Sequence, residues 1–377
     1  MKKTLLIFAL LLATIACRAQ DSICVTVTEA GTLASKLPAE EAARFDVLRL
    51  KVVGPINSTD IGYIRAMAGN SVKGEATEGS LRVLDLSEAK IVKGGDVYWT
   101  DPNDSYETSS ILRDNTIGYD MFRECKSLRT VVLPEGITKI CDGAFTSCTH
   151  LSSVNVPSTV TQIGEGFRNC SSLRSIVLPE GLTEIGDFCF SNYTNLTDVN
   201  IPSSVKTIGD VSFRATPLKT VVIPEGATSI GTTAFGDCVK LETVVLPSTL
   251  KKINDNAFIR DSLLKDIYMF SLSAPRAGSD AFSFYSKSTV KPTLHVPYQC
   301  SPLYNSFDCT YNVFNIVEMA EDATYDSVVK DVTTGLKAIS ATRRSYSTAP
   351  VYNLSGMRVN GAYRGIVVKN GRKYLQR

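Results

Sequence analysis

The sequence predicts a β-rich α/β solenoid, a right-handed superhelix whose coils are 22 or 23 residues long and carry one short strand and one helical turn each. Three aligned columns predict it. Phenylalanines recur at Phe122, Phe145, Phe167, Phe190, Phe213, Phe235 and Phe258. Prolines recur in the same steps at Pro134, Pro157, Pro179, Pro202, Pro224 and Pro247. Isoleucines keep pace at Ile117, Ile140, Ile163, Ile185, Ile208, Ile230 and Ile253.

One coil follows from that spacing. In Leu128–Leu133, Val131 and Leu133 share one face while Thr130 and Val132 share the other, the period of a strand. Pro134 ends the strand because it has no N–H to donate. Ile137 and Ile140 turn inward on the return path, and a glycine after most of the isoleucines permits a tight corner. The segment around Ala144-Phe145 has room for one helical turn. Such a unit cannot bury its own apolar edge, so coils must stack. A second period overlies the first: Pro-Glu-Gly at 134–136, 179–181 and 224–226 alternates with Pro-Ser at 157, 202 and 247, giving a 45-residue unit of paired coils. Glu135, Glu180 and Glu225 are expected as a solvated column with serines between them.

The order F-x-x-C-x-x-L-x-x-V-x-L-P in Phe122–Pro134 and Phe145–Pro157 resembles the BspA-like class of leucine-rich repeats. The likeness runs from about residue 81, where Leu81-x-x-Leu84-x-Leu86 has the strand spacing, to about 300, past a degenerate coil at Leu294–Pro297. The columns lapse where Tyr193, Thr216 and Asp261 replace Cys and where Cys141 and Asn254 replace Gly. The resemblance implies a leucine-rich-repeat superhelix on a bacterial surface, adhering to host matrix proteins or to other cells.

The chain divides into five expected parts. Residues 1–19 have the charged start and apolar run of a secretory signal peptide, with cleavage after Ala19; lipoprotein processing at Cys17 is the rival route. Residues 20–80 are expected to cap the front of the array, with a strand over 47–53 and a helix over 58–67. The solenoid spans 81–318, its last part from 268 forming a rear cap, and an insertion between Val92 and Asn115 holds Trp99. Residues 319–350, rich in Thr, Ser and Ala, read as a linker. In 351–377, Asn360-Gly361 and Asn370-Gly371 mark hairpins. That tail resembles, through Tyr352–Val359 and Arg364–Lys369, the C-terminal modules by which some Gram-negative anaerobes sort proteins to the outer membrane. It is also cationic. Nine of the 40 Lys and Arg fall after residue 331 and none of the 38 Asp and Glu do, which leaves 31 basic against 38 acidic before it, a net of −7.

Composition narrows the function. A net charge of +2 gives no bulk attraction to nucleic acid, and no later segment has the roughly 20 apolar residues of a membrane span. Only His150 and His295 could serve histidine catalysis, and both fall in repeat-like segments as solvated strand or turn residues. Cys125, Cys148, Cys170 and Cys238 share one column, with Cys141 and Cys189 on the same coils; coil spacing reads as small buried thiols rather than a metal or redox site. Cys300 and Cys309, outside the array, are candidates for a disulfide in an exported chain. No cofactor, metal or catalytic residue is expected. The candidate ligand-binding positions are the outward column Val132, Asn155, Val177, Asn200, Val222, Val245 and Tyr268, beside the column from Thr130 to Asp266, with Tyr98, Trp99 and Tyr106 as aromatic anchors. The alternatives are a strand face that binds nothing and an insertion that folds over the first coil to shield its core. The expected function is noncatalytic binding of an extracellular protein by a monomer held at the surface of a Gram-negative bacterium or secreted from it. A glycan-capture component and an exported hydrolase are the rival readings.

Overall fold

A computed structural model describes residues 22–103, 108–192, 195–283, 291–305, 314–333, 351–353, 358–359, 365–369 and 372–376. The signal peptide, Cys17, Tyr106, Cys309 and most of the expected linker lie outside the described residues.

The chain forms a β-solenoid of about 12 turns at the 22- to 23-residue spacing. Each turn contributes a strand to a front face, from Ser22–Thr26, Arg49–Ile56 and Val83–Ile91 through Thr130–Val132 and its successors to Thr293–Val296 and Asn315–Glu318. The front pairings are parallel; one register shift falls between Lys51 and Val53 where Arg49–Ile56 meets Val83–Ile91, and the regular coils keep column register, Val221 beside Val244 and Val244 beside Ile267. A second, rear ladder was not expected. Eight two-residue strands, from Thr116–Ile117 to Arg276–Ala277, pair in parallel so that each isoleucine of the column lies beside the next. Residues between the rear and front strands form hydrogen-bonded turns, and no helix is assigned there between 118 and 127 or in the matching stretches described. The expected helical turn is replaced for a physical reason. Alternate N–H groups of the turn point along the stack: Asp120, Phe122 and Glu124 donate to the carbonyls of Asp142, Ala144 and Thr146 on the next coil. A helical turn would have spent those donors within its own coil. The direction is set by left-handed residues two places after the phenylalanines, among them Glu124, Ser147, Asn169, Asp237 and Arg260 with φ of 58 to 65°. Each costs roughly 1–2 kcal/mol in a non-glycine residue, which the shared hydrogen bonds offset.

Between the ladders lies one continuous core. Phe122 to Phe282 are fully buried and stack ring on ring, with centroids 5.2 to 5.9 Å apart and interplanar angles of at most 24°. The column ends edge-on against Phe314, at 5.1 Å and 80°.

Residues 22–80, expected to cap the front, extend the same parallel front ladder with the strands Ser22–Thr26 and Arg49–Ile56. The Ser58–Met67 helix occurs where the sequence placed it, started by Asn57 rather than a serine, with Asp60 closing a capping box. Buried Asp60 also accepts the N–H groups of Gly31 and Leu33, which ties the first coil to the helix. The same helix carries Arg65, which is fully buried. Its guanidinium donates to the carbonyls of Asp120 and Met121, at 2.9 and 3.1 Å, and to the side chain of Asn70. Tyr98 donates to the carbonyl of Tyr119, at 2.5 Å. Tyr119 and Met121 align with Asp142 and Ala144, whose carbonyls accept from the preceding coil. Arg65 and Tyr98 therefore supply the donors that a coil before residue 118 would have supplied.

At the tail, four strands over Val351–Asn353, Arg358–Val359, Gly365–Lys369 and Arg372–Gln376 pair antiparallel, with Lys369 opposite Arg372 on either side of Asn370-Gly371.

Asp261, which stands in the cysteine column, shows what a lapse there does. One carboxylate oxygen accepts the N–H of Cys238 at 2.8 Å, the other has no partner, and burial pushes its pKa well above the usual carboxylate range. A native state that holds this proton loses stability relative to the unfolded chain as pH rises from about 4 toward the native pKa. Asp261→Asn keeps the accepting oxygen and cannot ionise. In urea unfolding, its stability relative to the parent chain is expected to rise with pH above 4, by up to about 1.4 kcal/mol per unit before levelling off; a difference that does not change between pH 4 and 8 contradicts this.

Candidate functional site

The outward positions of the front strands do not form the uniform surface that the spacing suggests. Asn155 and Asn200 turn their amides back onto the preceding coil. The Asn155 side chain accepts the Leu133 N–H at 2.6 Å and donates to the Leu133 carbonyl at 3.2 Å, and Asn200 treats Leu178 the same way at 3.0 and 3.2 Å. Their polar groups complete the ladder beyond the strand ends, so neither is a free ligand contact. Val132 is half-buried, while Val177 is 55% exposed. Beside them Ser175 and Asp198 are also exposed, so the open part of the column centres on the coils from 175 to 200.

The lower half of the same column is covered. At the third repeat of the 45-residue unit Val245 stands where Asn155 and Asn200 stand in the first two, and Val222, Val245, Tyr268 and Phe270 make an apolar patch. Onto it pack Met319, Ala323 and a helix over residues 325–333, through Tyr325, Val328, Val329 and Val332. The Tyr325 ring meets Phe270 edge-on at 5.5 Å, and its hydroxyl donates to the Ile223 carbonyl at 2.5 Å. Thr324 and Ser327 start the helix by exchanging hydrogen bonds between each other's side chain and backbone N–H. The first part of the expected linker is thus a docked helix. Its signal was present in the sequence: residues 325, 328, 329 and 332 follow the i, i+3, i+4, i+7 rule. The polar composition around it hid the pattern. Val222, Val245 and Tyr268 are accordingly no free binding positions, because the chain itself occupies them.

The aromatic anchors are corrected too. Tyr98 and Trp99 are buried in the solenoid core, Trp99 under the Arg123 guanidinium at 5.1 Å, and Tyr98's hydroxyl is committed to Tyr119. The insertion folds over the first regular coil, held by a short hairpin that pairs Trp99–Thr100 with Thr108–Ser109 and by the Ser58 hydroxyl, which accepts the Ile111 N–H at 2.7 Å. What the insertion leaves outside is a groove of about 490 Å³ against the rear ladder, lined by Leu112, Arg113, Tyr119, Lys139 and Gln162 among others. Leu112 is 72% exposed at its rim.

The remaining candidates have structural partners. Cys148, Cys170 and Cys238 point into the core and donate to the carbonyls of Phe122, Phe145 and Phe213. Burial holds the thiol of Cys125 at about 11 and pushes Cys148, Cys189 and Cys238 up as well, so these thiols are far from a thiolate nucleophile. Cys300 is buried and forms no disulfide among the described residues, and its expected partner Cys309 lies outside them. His150 Nδ1 lies 2.7 Å from the Lys126 carbonyl. His295 is half-buried, stacks on Tyr268 at 4.3 Å and pairs with Asp266 at 2.9 Å. Glu180 and Glu225 accept from Ser203 and Ser248 on the next coil, so the glutamate column bridges coils as well as facing solvent. Among the described residues, no cluster of three or more His, Cys, Asp or Glu is placed to hold a metal ion, and no helix is long and apolar enough to cross a membrane.

A family model described as the BspA type leucine-rich repeat region matches in six copies over residues 115–241 and 206–305, half of the chain in all. No curated protein matches. Among solved structures, the chain is similar to a leucine-rich cell surface protein from Faecalibacterium prausnitzii, at 21% identity and a TM-score of 0.36 over 56% of this chain and 78% of that one. It is also similar to a leucine-rich repeat protein from Treponema pallidum, at 26% identity and a TM-score of 0.28 over 48% of this chain and 65% of that one. A third likeness is to a leucine-rich repeat protein from Bacteroides ovatus, at 20% identity and a TM-score of 0.33 over 72% and 84%.

Asn200→Ala is expected to lower stability by about 1 kcal/mol, since it strips the Leu178 N–H and carbonyl of their partner. Val177→Ala, at an exposed position, should change it by less than about 0.5 kcal/mol. Urea midpoints of the two variants check the difference; equal effects contradict a structural role for the asparagine.

Proposed function

The chain belongs to the BspA-type leucine-rich repeat family, and on that premise we propose that it is a noncatalytic surface or secreted protein that binds a macromolecule through its front strand face. The observation that carries this reading is the division of that face. Over residues 220–270 the outward column is covered by the chain's own helix, whereas over 175–200 small side chains with little charge stand open on parallel strands. Extended, rigid faces of stacked repeats suit a broad protein contact better than a small-molecule site. Noncatalytic work fits the same residues, because the histidines and core thiols that could carry chemistry are tied to neighbouring coils. Adhesion to matrix proteins or to other cells is the use that the family likeness suggests, and the cell-surface protein from F. prausnitzii is consistent with display at the cell surface.

Glycan capture is the second reading. The groove beneath the insertion favours it, because an exposed leucine and a tyrosine there sit beside Arg113, Lys139 and Gln162, a mixture of flat apolar area and polar donors. The tail of residues 351–377, with six cations, no acidic residue and antiparallel strands, is assigned the role of an outer-membrane sorting or anchoring module.

Immobilised matrix proteins and a glycan array, probed with the purified full chain, test the reading. Saturable protein binding weakened at least tenfold by Val177→Asp with Asp198→Lys supports the front face. Binding that survives this pair but falls with Tyr119→Ala moves the site to the groove. In a Gram-negative host, deletion of 351–377 should abolish surface display, and unchanged display contradicts the role given to the tail.

A further inference from the structure

The patch under the 325–333 helix has properties that a permanent piece of core does not need. Val245, Phe270 and Met319 form a buried cluster of their own, separate from the continuous core between the ladders. The rest of the contact, Val222 and Tyr268 on one side and Tyr325, Val328, Val329 and Val332 on the other, is only half-buried. The outer face of the helix, with Asp326, Ser327, Lys330 and Asp331, is exposed. Among the described residues its seat is made mostly of half-buried side chains, with one edge-on ring pair and the Tyr325 hydrogen bond, which places it among the low-stability units of the molecule. The patch also exists only because the 45-residue unit departs from its own rule at Val245. The asparagines at the matching positions, Asn155 and Asn200, fill the same site with a polar group that serves the ladder.

We infer that the front face over residues 220–270 is a receptor for an amphipathic helix, occupied at rest by residues 325–333 and open to a partner helix that presents the same valine and tyrosine spacing. A partner must displace the resident helix, so its apparent affinity falls by the fraction of time the site is free. The inference names a ligand class for the surface proposed above and rests on that reading only for its use in the cell; helix exchange is testable without the natural ligand.

The probe is a fluorescein-labelled peptide of residues 319–335, titrated by anisotropy into three versions of the full chain. Val328→Asp with Val332→Asp ejects the resident helix, and this variant is expected to bind the peptide at least tenfold more tightly than the parent chain. Adding Val222→Asp to it, on the solenoid side, should abolish that binding. Thermal melting of the solenoid, followed by far-ultraviolet circular dichroism, should be nearly unchanged in the ejected variant. Absence of peptide binding by an ejected variant that melts normally overturns the inference, because the patch then does not take helices in exchange. A large fall in melting temperature also overturns it, because the helix is then a brace of the fold. Failure of matrix and glycan binding in both parent and ejected chains, with peptide binding intact, counts against the proposed function and leaves the helix receptor standing.

Discussion

Among the described residues, the regular coils from 118 to 260 hand turn N–H groups to the next coil, and none of them can satisfy those groups alone. That constraint explains why the repeat holds its length at 22 or 23 residues. An extra residue in one turn would throw the alternating donors out of step with the carbonyls ahead of them. It also explains the phenylalanine column, since turns locked at the spacing of a parallel ladder bring the rings within 5.2 to 5.9 Å of each other. Backbone direction and aromatic stacking reinforce one another, and neither is available to an isolated coil. The same rule locates the two residues that look least at home in the core. Arg65, fully buried, and Tyr98 donate to carbonyls of the first regular coil that have no matching turn behind them.

Departures from the repeat carry the individuality of the chain. Where a column position keeps its residue, the side chain serves the stack: thiols reach phenylalanine carbonyls, asparagines close strand ends and glutamates hold serines across coils. Where a position departs, something new appears. Asp261 in the thiol column leaves a carboxylate oxygen without a partner. Val245 in the asparagine column gives the front face an apolar patch, and the chain returns some 80 residues later to cover it. The insertion after residue 92 covers the first regular coil and opens a groove on the rear side. A binding surface made of stacked repeats is in this sense specified by its exceptions.

Much of the architecture is readable in the sequence because it depends on local spacing repeated many times. The front strands and the buried thiols occur where periodicity puts them, and the Ser58–Met67 helix occurs where its polar start signal puts it. The rear ladder escapes because two-residue strands such as Lys139–Ile140 leave no alternation to detect. The turns differ from the helical expectation because spacing fixes the length of a segment and not the direction of its N–H groups. The surface residues fare worst for a related reason. An outward column shows which residues can meet solvent, but not which will be met first by another part of the same chain. Trp99 is drawn inward by the fold of its insertion, and Val222, Val245 and Tyr268 are covered by a segment distant in sequence. Long-range contacts of that kind have no period to read.

The central claim is that stability runs from neighbour to neighbour along the stack, through the aromatic column and the turn ladder together. Amide hydrogen exchange on Phe190→Ala, compared with the parent chain, tests it most directly. Removal of this ring breaks the stacks to Phe167 and Phe213 and leaves the others intact. Protection should fall most for amides on the coils of residues 167–213 and progressively less toward Phe122 and Phe282. An equal loss at every coil would contradict the account, because the solenoid would then unfold as a single cooperative block.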